Sequence, residues 1–258
     1  MSEIKVITRA DDAGSSSSAN LAMKQAAAVG FIKNVSLLAP GGYIDGAADL
    51  LCDEKHICFG LHTTLNAEWD KVKWKPLSNV SPNDGLTDED GYLLPHPKMF
   101  YETRPSVETV LREYEAQLDR LNRLGFDIRY VDSHMGEEAY VEGLSEAKRE
   151  WAIRKGLIYH EDCDIETTQF DDEWDVEQMI SHISSLCDGQ YLYVAHPALY
   201  GDDMLMTGNS EFSGESIAKT RSLQASVISD IRLIRRVEEM GVSLIRYDEA
   251  SMLKQIIS

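Results

Sequence analysis

Positive charge is what this chain has least of. Its 258 residues carry 25 Lys and Arg against 44 Asp and Glu, a formal net charge of -19. A surface so negative repels phosphate backbones and anionic headgroups, which argues against nucleic acid or an anionic membrane face as the main partner. Cysteine is scarce as well. Cys52, Cys58, Cys163 and Cys187 form no CxxC pair, and they read as reduced, mostly buried thiols rather than as the disulfides of an exported protein. No run approaches the ~18 apolar residues of a membrane helix. Met1 to Lys5 leads straight into a strand-like segment, with neither a basic n-region nor a long apolar h-region. Tandem repeats and long linkers are absent, and "SSSS" at Ser15 to Ser18 is the only low-complexity piece. These absences set the expectation of one cytoplasmic domain spanning residues 1–258.

What is present is an apolar fraction of 43%, enough for a sizeable core, and an alternation of strand-like and helix-like segments. Ile4–Arg9 reads as a first strand and Ser18–Val29 as a helix ended by Gly30. Strands are expected at Val35–Leu38, Ile57–Leu61, Ile128–Asp132, Leu157–His160, Tyr191–Ala195 and Val242–Ile245. Helices are expected around Ile44–Cys52 and over Ser106–Leu124, Leu144–Arg154, Val176–Leu186, Glu215–Met240 and Glu249–Ile257. Between Asn66 and Arg104, Pro76, Pro82, Pro95, Pro97 and "SPNDG" predict a long irregular loop. A second loop, Tyr200 to Gly214, is acidic and glycine-containing, and reads either as a lid or as plain surface. Serial strand–helix units imply parallel strands with crossover helices. The expected fold is therefore α/β, a distorted (β/α) barrel of about seven units, with an open doubly wound sheet as the alternative.

Chemistry in such folds gathers at the carboxyl ends of the strands, and there the sequence places Asp11 and Asp12, His62, Asp132 to His134, and His196. Each has a local explanation when taken alone. Asp11 or Asp12 suits a helix cap, Asp132-Ser133 suits a turn, and His62 or His196 suits a hydrogen-bonded strand end. Together they suit a divalent cation held by an Asp/His/His set with positions left for water and substrate, a set that zinc, iron, manganese and cobalt all accept. A carboxylate beside such a cation can serve as general base and an imidazole as general acid. The pair Asp11-Asp12 then divides its labour, and the cation relieves the repulsion between the two acids. His56, His96, His160 and His182 read as structural or solvated.

The motifs "RADDAG", "GLHTTL", "VDSHMG" and "YVAHPA", in this order and spacing, resemble those of the YdjC-like carbohydrate deacetylases, from Ile4 to about Tyr247. The resemblance implies a distorted (β/α) barrel, often a homodimer, that removes N-acetyl groups from sugars such as chitooligosaccharides with a divalent metal, magnesium or zinc. It implies Asp12, His62 and His134 as metal ligands, Asp11 as the base that activates water, and His196 as the acid for the leaving amine. The chain departs from the family pattern at Arg9-Ala10, at Ala13 and at Gly136, where the family often has Asn, an aromatic and a further histidine. Outside the motifs, Trp69 and Trp74 suit either stacking on sugar rings or anchoring of the long loop, and Glu68 suits sugar hydroxyls. Arg9 suits either an anionic substrate group or a counter-charge for the two acids, and the counter-charge is the favoured reading. The rival functions are a metal-dependent hydrolase of another amide or of a phosphoester, and a sugar-binding protein without turnover.

Overall fold

The first strand runs through the acid pair rather than stopping before it. In the computed structural model, which describes residues 3–253, β1 spans Ile4–Ala13 and is buried from Val6 onward. The elements that follow are α1 (Ser17–Val29), β2 (Asn34–Leu37), α2 (Ile44–Leu51), β3 (Cys58–Thr63), α3 (Phe100–Thr103), α4 (Val107–Arg123), β4 (Ile128–Ser133) and α5 (Leu144–Lys155). Then come β5 (Ile158–Tyr159), α6 (Val176–Ser185), β6 (Gly189–Ala195), α7 (Asp202–Leu205), α8 (Gly214–Ile228), α9 (Ile231–Glu239) and β7 (Ser243–Ile245). Local signals account for many of the boundaries. The Ser16 side chain accepts from the Ala19 N–H to cap α1, and Gly30, at φ 95°, closes it.

The strands are all parallel and lie in the order β5-β4-β3-β2-β1-β6, with β7 paired to the first half of β1 below β2. The sheet curls into a half-barrel. Its open side lies between β5 and β6, and an extended strap spans it. The Glu166 N–H donates to the Gln190 carbonyl at 2.7 Å, and the Gln190 side chain donates to the carbonyls of Asp164 and Ser251.

Two predicted helices take a different form. The span 215–240 is two helices, because Ser229 and Asp230 are better caps than helix-interior residues. Asp230 accepts from the Arg232 N–H and starts α9. The predicted helix 249–257 is not seen up to Leu253. Asp164 donates to the Ser251 carbonyl and Leu253 to that of Asp162, so strap pairing takes this backbone. The remainder of that span lies outside the described residues. The four cysteines are free, with Cys58 and Cys163 buried, Cys52 partly so and Cys187 exposed.

The main core lies between the sheet and its helices. A smaller cluster, including Ile7, Cys58, Tyr130, Ile245 and Tyr247, fills the base of the half-barrel. Successive strand residues face opposite sides, so Ile7, Arg9 and Asp11 rise up the interior in turn, from apolar base to polar rim. Gly60 is needed in this layer because Tyr130 lies across it. A Cβ at Gly60 would meet the Tyr130 ring at 2.2 Å, and the ring cannot retreat because it packs on Tyr247 with centroids 4.2 Å apart. Gly60→Ala is therefore expected to destabilise the protein by about 1–3 kcal/mol through overpacking. Urea unfolding checks this, and an unchanged midpoint would refute the tight fit.

Candidate metal and catalytic site

Adjacent strand residues cannot both face the barrel interior while the pleat is regular. The chain solves this at the end of β1. Pairing of β1 with β2 shifts register between Ala10 and Ala13, and Asp12 takes φ 71°, one of two non-glycine residues with positive φ among the described residues. Aspartate tolerates this left-handed conformation better than most residues. The turn brings the Asp12 carboxylate back to the side that Asp11 already faces.

His62 is the penultimate residue of β3, and His134 follows β4. The Asp12 Oδ1 lies 3.6 Å from His62 Nε2 and 3.1 Å from His134 Nδ1. These three atoms are buried and none has a hydrogen-bond partner among the described residues. Asp12, His62 and His134 each offer one ligand atom within 4.8 Å of the other two. Buried polar atoms without partners are costly, and a carboxylate and two imidazole nitrogens are the donor set that a divalent cation takes. The residues present fit the metal that the sequence pattern implied.

Both imidazoles are oriented from behind. The Asp132 Oδ2 sits 3.0 Å from His62 Nδ1, which leaves Nε2 for the shared centre. The Glu68 Oε2 sits 3.0 Å from His134 Nε2, which leaves Nδ1. This is the carboxylate–histidine arrangement that fixes ring orientation at metal centres. Glu68 thus supports His134 from behind through Oε2.

Arg9 lies beneath the group, 6% exposed. Its Nε and Nη2 donate to the two oxygens of Asp11, each at 2.7 Å. Its Nη1 reaches Asp132 Oδ2 and the Tyr247 hydroxyl, both at 3.0 Å. The guanidinium thus serves as a counter-charge for Asp11 and Asp132. Arg221, on α8, places Nη1 3.0 Å from Asp12 Oδ2. No local signal in the sequence marks that helical arginine, and only the packing of α8 over the rim brings it in.

Charges follow this arrangement. Burial alone raises the Asp12 carboxyl, but His134 and Arg221 hold it well below its ordinary range. Burial likewise opposes ionisation of Asp132, and Arg9 and His62 reverse it. Burial lowers His62 and His134, yet Asp132 and Asp11 raise the first, and Glu68 and Asp12 raise the second well above the usual value. His196 follows β6 with its backbone N–H held by Gln224 Oε1 at 2.6 Å. Burial pushes its imidazole down, against the pull of Asp12.

Among the other candidates, Trp74 is a loop anchor, buried with its Nε1 donating to the Asn66 carbonyl. Trp69 is half-buried against the main core. The segment Tyr200 to Gly214 is tied down rather than loose. Asp203 accepts from the Ser18 N–H and hydroxyl at the start of α1. The Asp70 N–H donates to the Gly208 carbonyl, and Asn209 donates to that of Glu68. A cavity of about 950 Å³ opens beside the loop after β4, between Tyr101, Arg104, Glu138 and Tyr140, and none of Asp12, His62 and His134 lines it.

Asp12, His62 and His134 thus stand together at the strand ends of a parallel α/β half-barrel. The sequence pattern of the YdjC-like protein family matches residues 5–154, more than half of the chain, and the chain belongs to that family. A carbohydrate deacetylase of Thermoanaerobacter pseudethanolicus is 24% identical over 94% of this chain and 97% of its own. Another, of Geobacillus stearothermophilus, is 28% identical over 94% and 96%. Among solved structures, one from Enterococcus faecalis, provisionally named a cellobiose-phosphate cleavage protein, superposes with a TM-score of 0.77. It shares 19% identity and covers 96% of this chain and 99% of its own, a likeness of fold. No helix among the described residues is long and apolar enough to cross a membrane.

Proposed function

We propose that this protein is a metal-dependent deacetylase that hydrolyses the N-acetyl group of an acetylated sugar or oligosaccharide. The observation that carries this reading is the convergence of three buried, unpartnered atoms, Asp12 Oδ1, His62 Nε2 and His134 Nδ1. The deacetylase names of the full-length relatives support the substrate class. Asp12, His62 and His134 would hold the cation, magnesium or zinc foremost. When bound, a divalent cation supplies a water of lowered pKa and polarises the amide carbonyl.

The chain's own residues do the rest. Asp11 takes the proton from the attacking water, with Arg9 fixing both carboxylate oxygens and leaving lone pairs free on each. Its Oδ2 lies 4.0 Å from His62 Nε2, so it borders the centre without sharing the ligand atoms. His196 delivers a proton to the departing amine. Asp132 and Glu68 keep the two imidazoles turned toward one point. Trp69, at the start of the long loop, offers its partly buried ring to a sugar face.

A phosphoester substrate is less well served. Arg9 and Arg221, the two guanidiniums that touch the site carboxylates, are already neutralised by Asp11, Asp132 and Asp12. The test uses protein stripped with a chelator and assayed with N-acetylglucosamine oligomers and with phosphorylated sugars. Acetate release should vanish on stripping and return with Zn, Mn, Co or Mg. Phosphate release instead would establish the phosphoesterase. Sugar binding with no acetate under any metal would establish a non-catalytic binder.

A further inference from the structure

Lys148, on α5, is fully buried and yet stands outside the half-barrel interior. An ammonium has three donors, and here they have three near acceptors. Nζ lies 2.7 Å from Thr63 Oγ1 and 2.6 Å from Ser133 Oγ, and it bonds Glu138 Oε1. The Asp132 carbonyl at 3.4 Å and Glu137 Oε1 at 3.5 Å complete its surroundings. Thr63 and Ser133 are register partners at the ends of β3 and β4. Each is the immediate neighbour of a ligand histidine, His62 and His134. By strand alternation Thr63 and Ser133 point outward where His62 and Asp132 point inward. One ammonium therefore grips from outside the two strand ends that present the ligands on the inside. The His134 N–H also donates to the Thr63 carbonyl at 3.0 Å, so the two ends move as one piece.

A buried ion pair is a poor way to gain stability, since well-packed apolar side chains of similar size do as well or better. Burial alone would lower Lys148, and Glu137 and Glu138 more than restore its charge. The geometry asks for a reason other than bulk stability. Glu137 is likewise committed, accepting from the Thr63 and Tyr114 hydroxyls at 2.6 and 2.7 Å. We propose that Lys148 is a positioning residue that sets the spacing of His62 and His134 by clamping Thr63 and Ser133, so that it tunes the affinity of the metal centre without touching it. This rests on the metal reading given above.

The test is calorimetric titration of chelator-stripped protein with Zn²⁺, beside urea unfolding in chelator. Lys148→Met should weaken Zn²⁺ binding about 10–100-fold, the range seen when outer supports of metal ligands are removed. It should also lose stability, because Glu138 is left buried without its cation. The double variant Lys148→Met/Glu138→Gln removes that unpaired charge. It should recover most of the stability and keep the weakened affinity. Thr63→Val, which keeps the side-chain shape and the ion pair, should also bind Zn²⁺ more weakly. Wild-type affinity in the double variant and in Thr63→Val would make Lys148 merely structural and overturn the inference. Wild-type protein that takes up no Zn²⁺ would overturn the metal reading itself, and this inference with it.

Discussion

Asp11→Asn is expected to lower kcat for acetate release by about 10²–10⁴-fold, the range for loss of a general base, while Zn²⁺ uptake by the stripped protein stays near wild type. The separation follows from the geometry. Asp12, not Asp11, shares the point between His62 Nε2 and His134 Nδ1, so the ligand set survives the change. Asparagine has the same shape but no anionic oxygen to receive a proton. It also presents an amide NH₂ to Arg9, which has donors on both oxygens of Asp11. One of those two hydrogen bonds must go, so a modest loss of stability accompanies the change. Arg9 remains paired with Asp132 at 3.0 Å, which keeps the guanidinium in place. Measuring kcat, Zn²⁺ affinity and urea midpoint on one preparation separates the three effects. Full turnover in the variant would remove Asp11 as the base. Loss of Zn²⁺ in parallel with turnover would instead make Asp11 a ligand.

The convergence of Asp12, His62 and His134 was legible in the sequence because strand periodicity puts residues after successive parallel strands on one rim. Asp12, His62, His134 and the neighbouring Asp11 and His196 all follow that rule. The means by which two consecutive acids reach the same side was not legible. It depends on the register shift after Ala10 and the positive φ of Asp12, and neither leaves a mark in composition. Arg9 was read as a counter-charge for the acid pair, but its link to Asp132 and Tyr247 and the contact of Glu68 with His134 were not legible, because a side chain's partner depends on what packs opposite it. Glu68 meets His134, and Arg9 meets Asp11 on its own strand and Asp132 and Tyr247 from a strand and a turn more than 120 residues away. Arg221 and Lys148 sit mid-helix among other charged residues, where nothing local distinguishes a buried cation from a solvated one. The fold was read at the level of strand order along the chain. The failure of the sheet to close was not, because the strap through Asp164 and Ser251 replaces a ladder with a few side-chain and backbone hydrogen bonds.

Arg9→Met should be the most destabilising of these substitutions, costing about 3–5 kcal/mol at neutral pH, the range for removing one partner of a buried ion pair. Methionine fills the volume but leaves two buried carboxylates without their cation, Asp11 at 3% and Asp132 at 0% side-chain exposure. The Tyr247 hydroxyl also loses the hydrogen bond from Nη1. The loss has a pH signature. The folded-state pKa of Asp132 is depressed below its ordinary value of 3.8, by Arg9 and then His62 against the cost of burial. A depressed carboxyl contributes stability that is present above its unfolded pKa and lost as pH falls through the folded one. Without Arg9 that depression shrinks, so the contribution shrinks at neutral pH, and protonation of the carboxyl becomes easier. The stability gap between wild type and variant should therefore be full above about pH 5 and narrow below about pH 4. Urea unfolding of both proteins in chelator, at pH 7 and at pH 3, measures it free of any metal contribution. A gap below about 1 kcal/mol at pH 7 would place Arg9 with exposed ion pairs, contrary to its burial. A gap that does not change between the two pH values would show that lost packing, rather than the two carboxylates, carries the effect. Narrowing on acidification, with a large gap at neutral pH, would identify Arg9 as the fixed counter-charge that keeps the buried Asp132 carboxylate ionised.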